Sequence, residues 1–210
     1  QAQIAVSDAI LDFAPGQSNR QDITVVNNGE ERAFVKVTPA RIFNPGTPEQ
    51  KREEIENPME LGLIASPNRL VLQPGQKKVI RVSTFGNNEE ERLYRLNVTP
   101  AAVNTPGEAS SEKKFDVKIL IAYDVLVINR PANLIGTYTS SHNGNKLTLK
   151  NTGNTNLLFT NGKSCTSDDK CTDLKPARIH PGLEWTTEAP ANTTITYSVA
   201  DGLKTTNVTM

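Results

Sequence analysis

The chain has 210 residues with 23 Lys+Arg against 23 Asp+Glu, a formal charge of zero at neutral pH. Such a balance supplies no field to concentrate nucleic acid or anionic lipid, and the length allows two modest domains or one large all-β unit. The closest two of the thirteen glycines, Gly136 and Gly144, stand eight positions apart, which excludes the dinucleotide fingerprint, the phosphate loop and the nucleophile elbow, since all need closely spaced glycines.

The chain opens at Gln1 without a basic or apolar leader, which predicts the mature form of an exported protein. Gln21 to Asn27 puts Ile23 and Val25 on one face, and Ala33 to Phe43 alternates Val35 and Val37 with Lys36 and Thr38. That period of two, built on β-branched residues, predicts half-buried strands. Glu49 to Glu56 is charged all round and stops before Pro58, so it predicts at most a short helix in a loop. Pairs such as Pro15-Gly16, Asn28-Gly29, Pro45-Gly46, Pro74-Gly75 and Pro181-Gly182 punctuate the runs, because proline presets φ and glycine supplies a positive one. The longest apolar run, Ile119 to Ile128, is interrupted by Asp124 and is too short to span a bilayer.

Beyond Asn129-Arg130-Pro131 the composition shifts to Asn, Thr, Ser and Gly, which places a domain boundary there, with a first unit over 1–129 and a second over 130–210. Cys165 and Cys171 enclose the loop TSDDK. A close, even pair predicts a disulfide and an oxidising compartment, against the alternative of two reduced thiols. A metal shared by these cysteines and His180 would lack a fourth ligand, so no metal or cofactor is expected. Thr194 to Ala200 again alternates, Ile195, Tyr197 and Val199 against Thr196 and Ser198. Many short strands, turn signals and almost no helix predict an all-β chain of two immunoglobulin-type sandwiches, the smaller of which gains most from a disulfide.

The segment FDVKILIAYDVLVI, Phe115 to Ile128, has no Gly or Pro and is long for a strand. Phe115, Val117, Ile119, Ile121 and Tyr123 share one face, and both faces turn apolar near the middle. Either this is a central strand buried on both sides, or it is an edge strand whose apolar row is meant for another protein. Only Asp116 and Lys118 blunt that edge, and an unblunted edge requires a partner, cover from its own loops or self-association. Four such side chains could contribute on the order of 8 kcal/mol gross before the cost of association.

SPNRLVLQPGQKKVIRVST (Ser66 to Thr84), ERLYRLNVTP (Glu91 to Pro100), the long apolar segment followed by NRPAN (Asn129 to Asn133), and ADGLK (Ala200 to Lys204) resemble, in this order, the periplasmic pilus chaperones of the PapD-like superfamily. The loop CTSDDKC followed by LKPARIHPG is similar to the second domain of that superfamily's alternate branch. The resemblance implies two immunoglobulin-like sandwiches in an L-shaped arrangement, a periplasmic location, pilin subunits and an outer-membrane usher as partners, and no enzymatic activity. It implies that Phe115, Val117, Ile119 and Ile121 fill the groove of an incomplete pilin fold by strand addition. It further implies that Arg130 joins Glu91 and Asp201 in an interdomain salt bridge. Members outside the alternate branch carry an Arg in the first strand and a Lys in the donor strand that hold the pilin's terminal carboxylate; the corresponding positions here, about Ala9 or Ile10 and Leu126, are uncharged. The alternation of Tyr94, Leu96 and Val98 sends Arg95 to the opposite face, which makes Arg95 the candidate anchor, with Tyr123 as a hydroxyl donor and Arg41 and Arg81 as runners-up. The rival reading from another class is a two-module extracytoplasmic adhesin or structural protein, in which the long segment is simply an inner strand.

Overall fold

The computed structural model describes residues 3–86, 89–101 and 120–210. Its first half runs β1 (Ile4–Val6), β2 (Ile10–Phe13), β3 (Arg20–Asn27), β4 (Ala33–Phe43), β5 (Lys51–Glu53), a one-turn helix α1 (Pro58–Leu61), β6 (Leu63–Ser66), β7 (Arg69–Leu72), β8 (Lys77–Thr84), β9 (Arg92–Ala101) and β10 (Tyr123–Asn129). The second half runs β11 (Tyr138–Asn143), β12 (Lys146–Asn151), β13 (Leu157–Cys165), β14 (Cys171–Leu174), β15 (Ala177–Ile179), β16 (Glu184–Glu188), β17 (Thr194–Ala200) and β18 (Thr205–Thr209).

Two pairs of sheets enclose two separate cores. Order β1-β3-β8-β6 faces order β2-β10-β9-β4-β5, to which β7 adds against β4. Order β11-β12-β16 faces order β14-β13-β17-β18, with β15 on β13. Alternation decides which side chains fill each core: Ile23 and Val25 of β3, Val35 and Val37 of β4, and Tyr94, Leu96 and Val98 of β9 are all buried in the first. Leu147, Leu149, Phe159, Ile195 and Tyr197 fill the second, where the rings of Tyr138 and Tyr197 each meet Phe159 edge-on.

The helix differs from the expectation. Residues 51–53 of the charged stretch pair with β4 as a strand, and helix forms only from Pro58 onward. Asn57 accepts a hydrogen bond from the Met59 amide, Pro58 takes the first-turn position, and Gly62 closes the turn at φ 80°. The proline expected to end a helix begins one, because its missing N–H is harmless in a first turn.

The long apolar segment also divides. Its strand starts at Tyr123, and β10 has partners on both flanks from Leu126 to Asn129: β9 antiparallel and β2 parallel. Val125, Val127 and Ile128 are fully enclosed, so this half is an inner strand of its own sandwich. Upstream, Leu120, Ile121 and Ala122 belong to no strand and are exposed, Ile121 at 59%. Continuing the β9 register would set Ile121 against Pro100, which has no amide hydrogen to offer a ladder. Phe115, Val117 and Ile119 lie outside the described residues.

Candidate functional site

Two features of the first sandwich and its junction with the second bear on function. The first is the row of side chains along β10. Tyr123, Val125 and Val127 face the first core, Tyr123 at its margin. In the sequence Ile121 continues that alternation, but it lies outside the strand and is exposed. The opposite face of β10 carries Asp124 and Leu126. Arg52 of β5 grips the Asp124 carboxylate through both oxygens at 2.7 and 2.8 Å, which holds that carboxyl below the usual carboxylate range.

Arg95 lies on this outer face. It stands opposite Leu126 in the β9–β10 register, and its Nη1 donates to the Asp124 carbonyl at 3.0 Å. Leu126 in turn pairs with Ile10, and its amide donates to the Ala9 carbonyl at 3.0 Å. Ile10 and Leu126, which the resemblance matched to basic positions, are therefore adjacent here, and both are aliphatic. Arg178 of β15 is close enough to Arg95 for their charges to interact; burial first, then Arg130 and Arg95, lower its affinity for its proton. Its Nη1 donates to Asn156 Oδ1 at 2.6 Å, a neutral partner.

Tyr123 departs from its expected role. With Arg95 on the outer face and Tyr123 packed toward the core, the pleat separates them, and they cannot meet on one carboxylate. Of the runners-up, Arg81 pairs with Asp22 on the exposed face of the other sheet, and Arg41 lies in the cleft between the sandwiches.

The second feature is the junction. Arg130 is 4% exposed, and its Nε and Nη2 donate to the two oxygens of Asp12 at 2.8 and 2.9 Å. Its Nη1 donates to Thr155 Oγ1 and the Asn156 carbonyl at 2.7 and 2.9 Å, and lies 3.7 Å from Glu91. Glu91 accepts from Thr155 Oγ1, the Asn156 amide and Asn156 Nδ2 at 2.6, 2.9 and 3.0 Å. Glu91 and Arg130 thus meet at the junction, but Asp201 does not join them. Its Oδ1 accepts from the Leu203 and Lys204 amides, both at 2.9 Å, closing its own turn, and Asp12 takes the fork instead. The turn contributes shape: Gly202, at φ +96°, lies flat against the Arg130 guanidinium, where any side chain would collide with it. Asp12 is not recognisable from sequence because only the parallel pairing of β2 with β10 brings it next to Arg130, and no local motif encodes that pairing.

Cys165 and Cys171 form a disulfide across β13 and β14. No cluster able to hold a metal occurs among the described residues, nor does any helix long and apolar enough to cross a membrane.

An all-β scaffold of two immunoglobulin-like sandwiches, with exposed apolar residues before β10 and a buried charge lock at the junction, defines the class of the protein. Residues 4–135, more than half of the chain, match the model of the pili and flagellar-assembly chaperone, PapD N-terminal domain. The chain belongs to that family, which is one of chaperones and not of enzymes. It is 26% identical over 161 residues to a CFA/I fimbrial subunit of Escherichia coli; the alignment covers 73% of this chain and 66% of the relative, just under two thirds of that protein's length. The crystal structure of the class 5 fimbriae chaperone CfaA superposes at a TM-score of 0.72 with 21% identity, covering 99% of this chain and 98% of that one. The matching chain of a chaperone–tip adhesin complex of CFA/I fimbriae biogenesis superposes at 0.68 with 22% identity, over 100% and 98%. At such identities these structures share the fold.

Proposed function

We propose that this chain is a periplasmic chaperone that binds a pilin subunit by lending it a strand and delivers it to an outer-membrane usher. The observation that carries the reading is the exposed apolar stretch Leu120 to Ala122 that leads into β10, whose Tyr123, Val125 and Val127 face the core. Ile119, Val117 and Phe115 follow in the same phase in the sequence. Exposed apolar residues running into a sheet strand suit strand addition, with backbone ladders for affinity and alternate side chains for pockets. The solved chaperone–tip adhesin complex of a structural neighbour supports the same role. In this reading the first unit ends at Asn129 and the second starts at Arg130.

The terminal carboxylate of the bound pilin would sit at Arg95. Arg95 and Arg178 both donate to neutral oxygens through one nitrogen, which leaves further guanidinium donors for an acceptor. Coexpression with a pilin subunit should yield a soluble one-to-one complex, and Ile119→Glu should abolish it. Arg95→Ala should weaken capture at least tenfold while leaving the free chaperone folded; capture at wild-type strength would refute the anchor without touching the strand-lending role. An adhesin would show neither the complex nor its loss.

A further inference from the structure

We propose that the outer edge of β18 is a self-association site, at which two copies of this chain join their second sandwiches. This goes beyond strand lending and does not depend on it. β18 ends its sheet and, among the described residues, pairs with β17 alone. Such an edge presents a row of unpaired amides and carbonyls, and proteins that stay apart blunt it with charge, proline or shortness. Other edges of this molecule carry those devices. β5 reads Lys51-Arg52-Glu53, β16 begins at Glu184 and ends at Glu188, and β14 carries Asp173 and one end of the disulfide. β18 reads TTNVT, with neither charge nor proline, and all of it but Val208 is exposed.

The ladder identifies the occupant. The Met210 amide donates to the Ile195 carbonyl at 2.7 Å and the Ile195 amide returns a bond to the Met210 carbonyl at 3.4 Å, so these two residues form a bonded pair. At the other end the Asp201 amide donates to the Lys204 carbonyl at 3.2 Å. Bonded and unbonded pairs alternate along an antiparallel ladder. The register therefore turns the backbone groups of Thr206 and Val208 toward β17 and those of Thr205, Asn207 and Thr209 outward. That outward set is symmetric about Asn207. In a copy related by a two-fold axis Asn207 meets Asn207 and Thr205 meets Thr209, and each pair can exchange both of its bonds. Ser198 Oγ donates to Asn207 Oδ1 at 3.0 Å, which holds that amide on the exposed face, while Val208 packs toward the core. No like charges oppose one another in this register, because Lys204, just before the strand, falls opposite Met210. A second copy thus matches β18 at every outward position, and the two sheets become one.

Sedimentation velocity of the full chain over a range of concentrations provides the test. The expected result is a reversible equilibrium between monomer and dimer. Asn207→Lys and Asn207→Asp each set like charges against one another at the axis and should weaken association at least tenfold. Both change an exposed side chain and keep the bonds to β17, and far-ultraviolet circular dichroism would check that they fold. Mixing the two variants in equal amounts should restore a dimer that contains one chain of each, since only there do opposite charges meet at the axis. Ser140→Lys, on the uncharged edge strand β11 of the other sheet, should leave the dimer as it is. A chain that is monomeric at every concentration overturns the proposal, as does a dimer that survives either Asn207 variant or a mixture that remains monomeric. A dimer dissolved by Ile121→Glu or Ser140→Lys but not by Asn207→Lys would place self-association elsewhere and overturn it equally.

Discussion

Replacing Arg130 by methionine keeps the volume and removes the charge that joins the sandwiches. The guanidinium makes two charge-assisted bonds to Asp12 and two more to Thr155 and Asn156, and it is nearly inaccessible to water. Breaking a buried pair costs about 3–5 kcal/mol because the partner charges are left behind. Here Glu91 keeps three donors of its own and Asp12 is 34% exposed, so the loss falls at the lower end, about 3 kcal/mol. Urea unfolding followed by the single tryptophan, Trp185, would show a midpoint lower by about 1–2 M for a slope of roughly 2 kcal/mol/M. The assignment of roles is sharper than the total. Asp12→Asn removes one of the lock's charges and should cost about 2 kcal/mol. Asp201→Asn keeps an oxygen for the Leu203 and Lys204 amides and should cost less than about 0.5 kcal/mol. An Asp201→Asn variant as unstable as Asp12→Asn, or an Arg130→Met protein that unfolds like wild type, would refute this account of the junction.

Three other perturbations follow from the same contacts. Gly202→Ala should destabilise by about 2 kcal/mol or more, since a methyl would both displace Arg130 and strain a φ of +96°; thermal unfolding would detect it, and a neutral result would contradict the packing. Replacing Cys165 and Cys171 together by serine opens a loop with a sequence separation of 6 and should cost about 2 kcal/mol on the chain-entropy estimate, measured as the difference in urea midpoint. Burial, and then Arg178, hold the His180 pKa down to about 4, so the fold favours the neutral ring. Its contribution is complete above the unfolded value of about 6.5 and is lost as pH falls toward 4, on the order of 3 kcal/mol. His180→Gln should flatten that part of the stability–pH curve, and an unchanged slope would show that the ring is not held neutral.

The strands over Ala33 to Phe43 and Thr194 to Ala200 were legible because each buries one face, and burial of one face writes a period of two into the sequence. The outward direction of Arg95 followed from the same rule. Tyr123 failed as its companion because parity within a strand is legible only once the cross-strand register is known. Asp12 and Arg130 are 118 residues apart, and their meeting depends on a parallel pairing that leaves no local pattern. Leu120 to Ile128 combines two environments in one apolar run, an inner strand from Tyr123 and exposed residues before it, and composition alone does not divide them.

The most direct measurement is capture of a pilin subunit coexpressed with this chain, compared between wild type and Ile121→Glu. Ile121 is exposed and lies just before β10, so a charge there leaves the free fold intact and spoils only the lent segment. A soluble one-to-one complex with wild type and none with a folded Ile121→Glu protein is the predicted result. Equal recovery of the pilin with both chains would show that the row does not enter the subunit and would contradict the account at its centre.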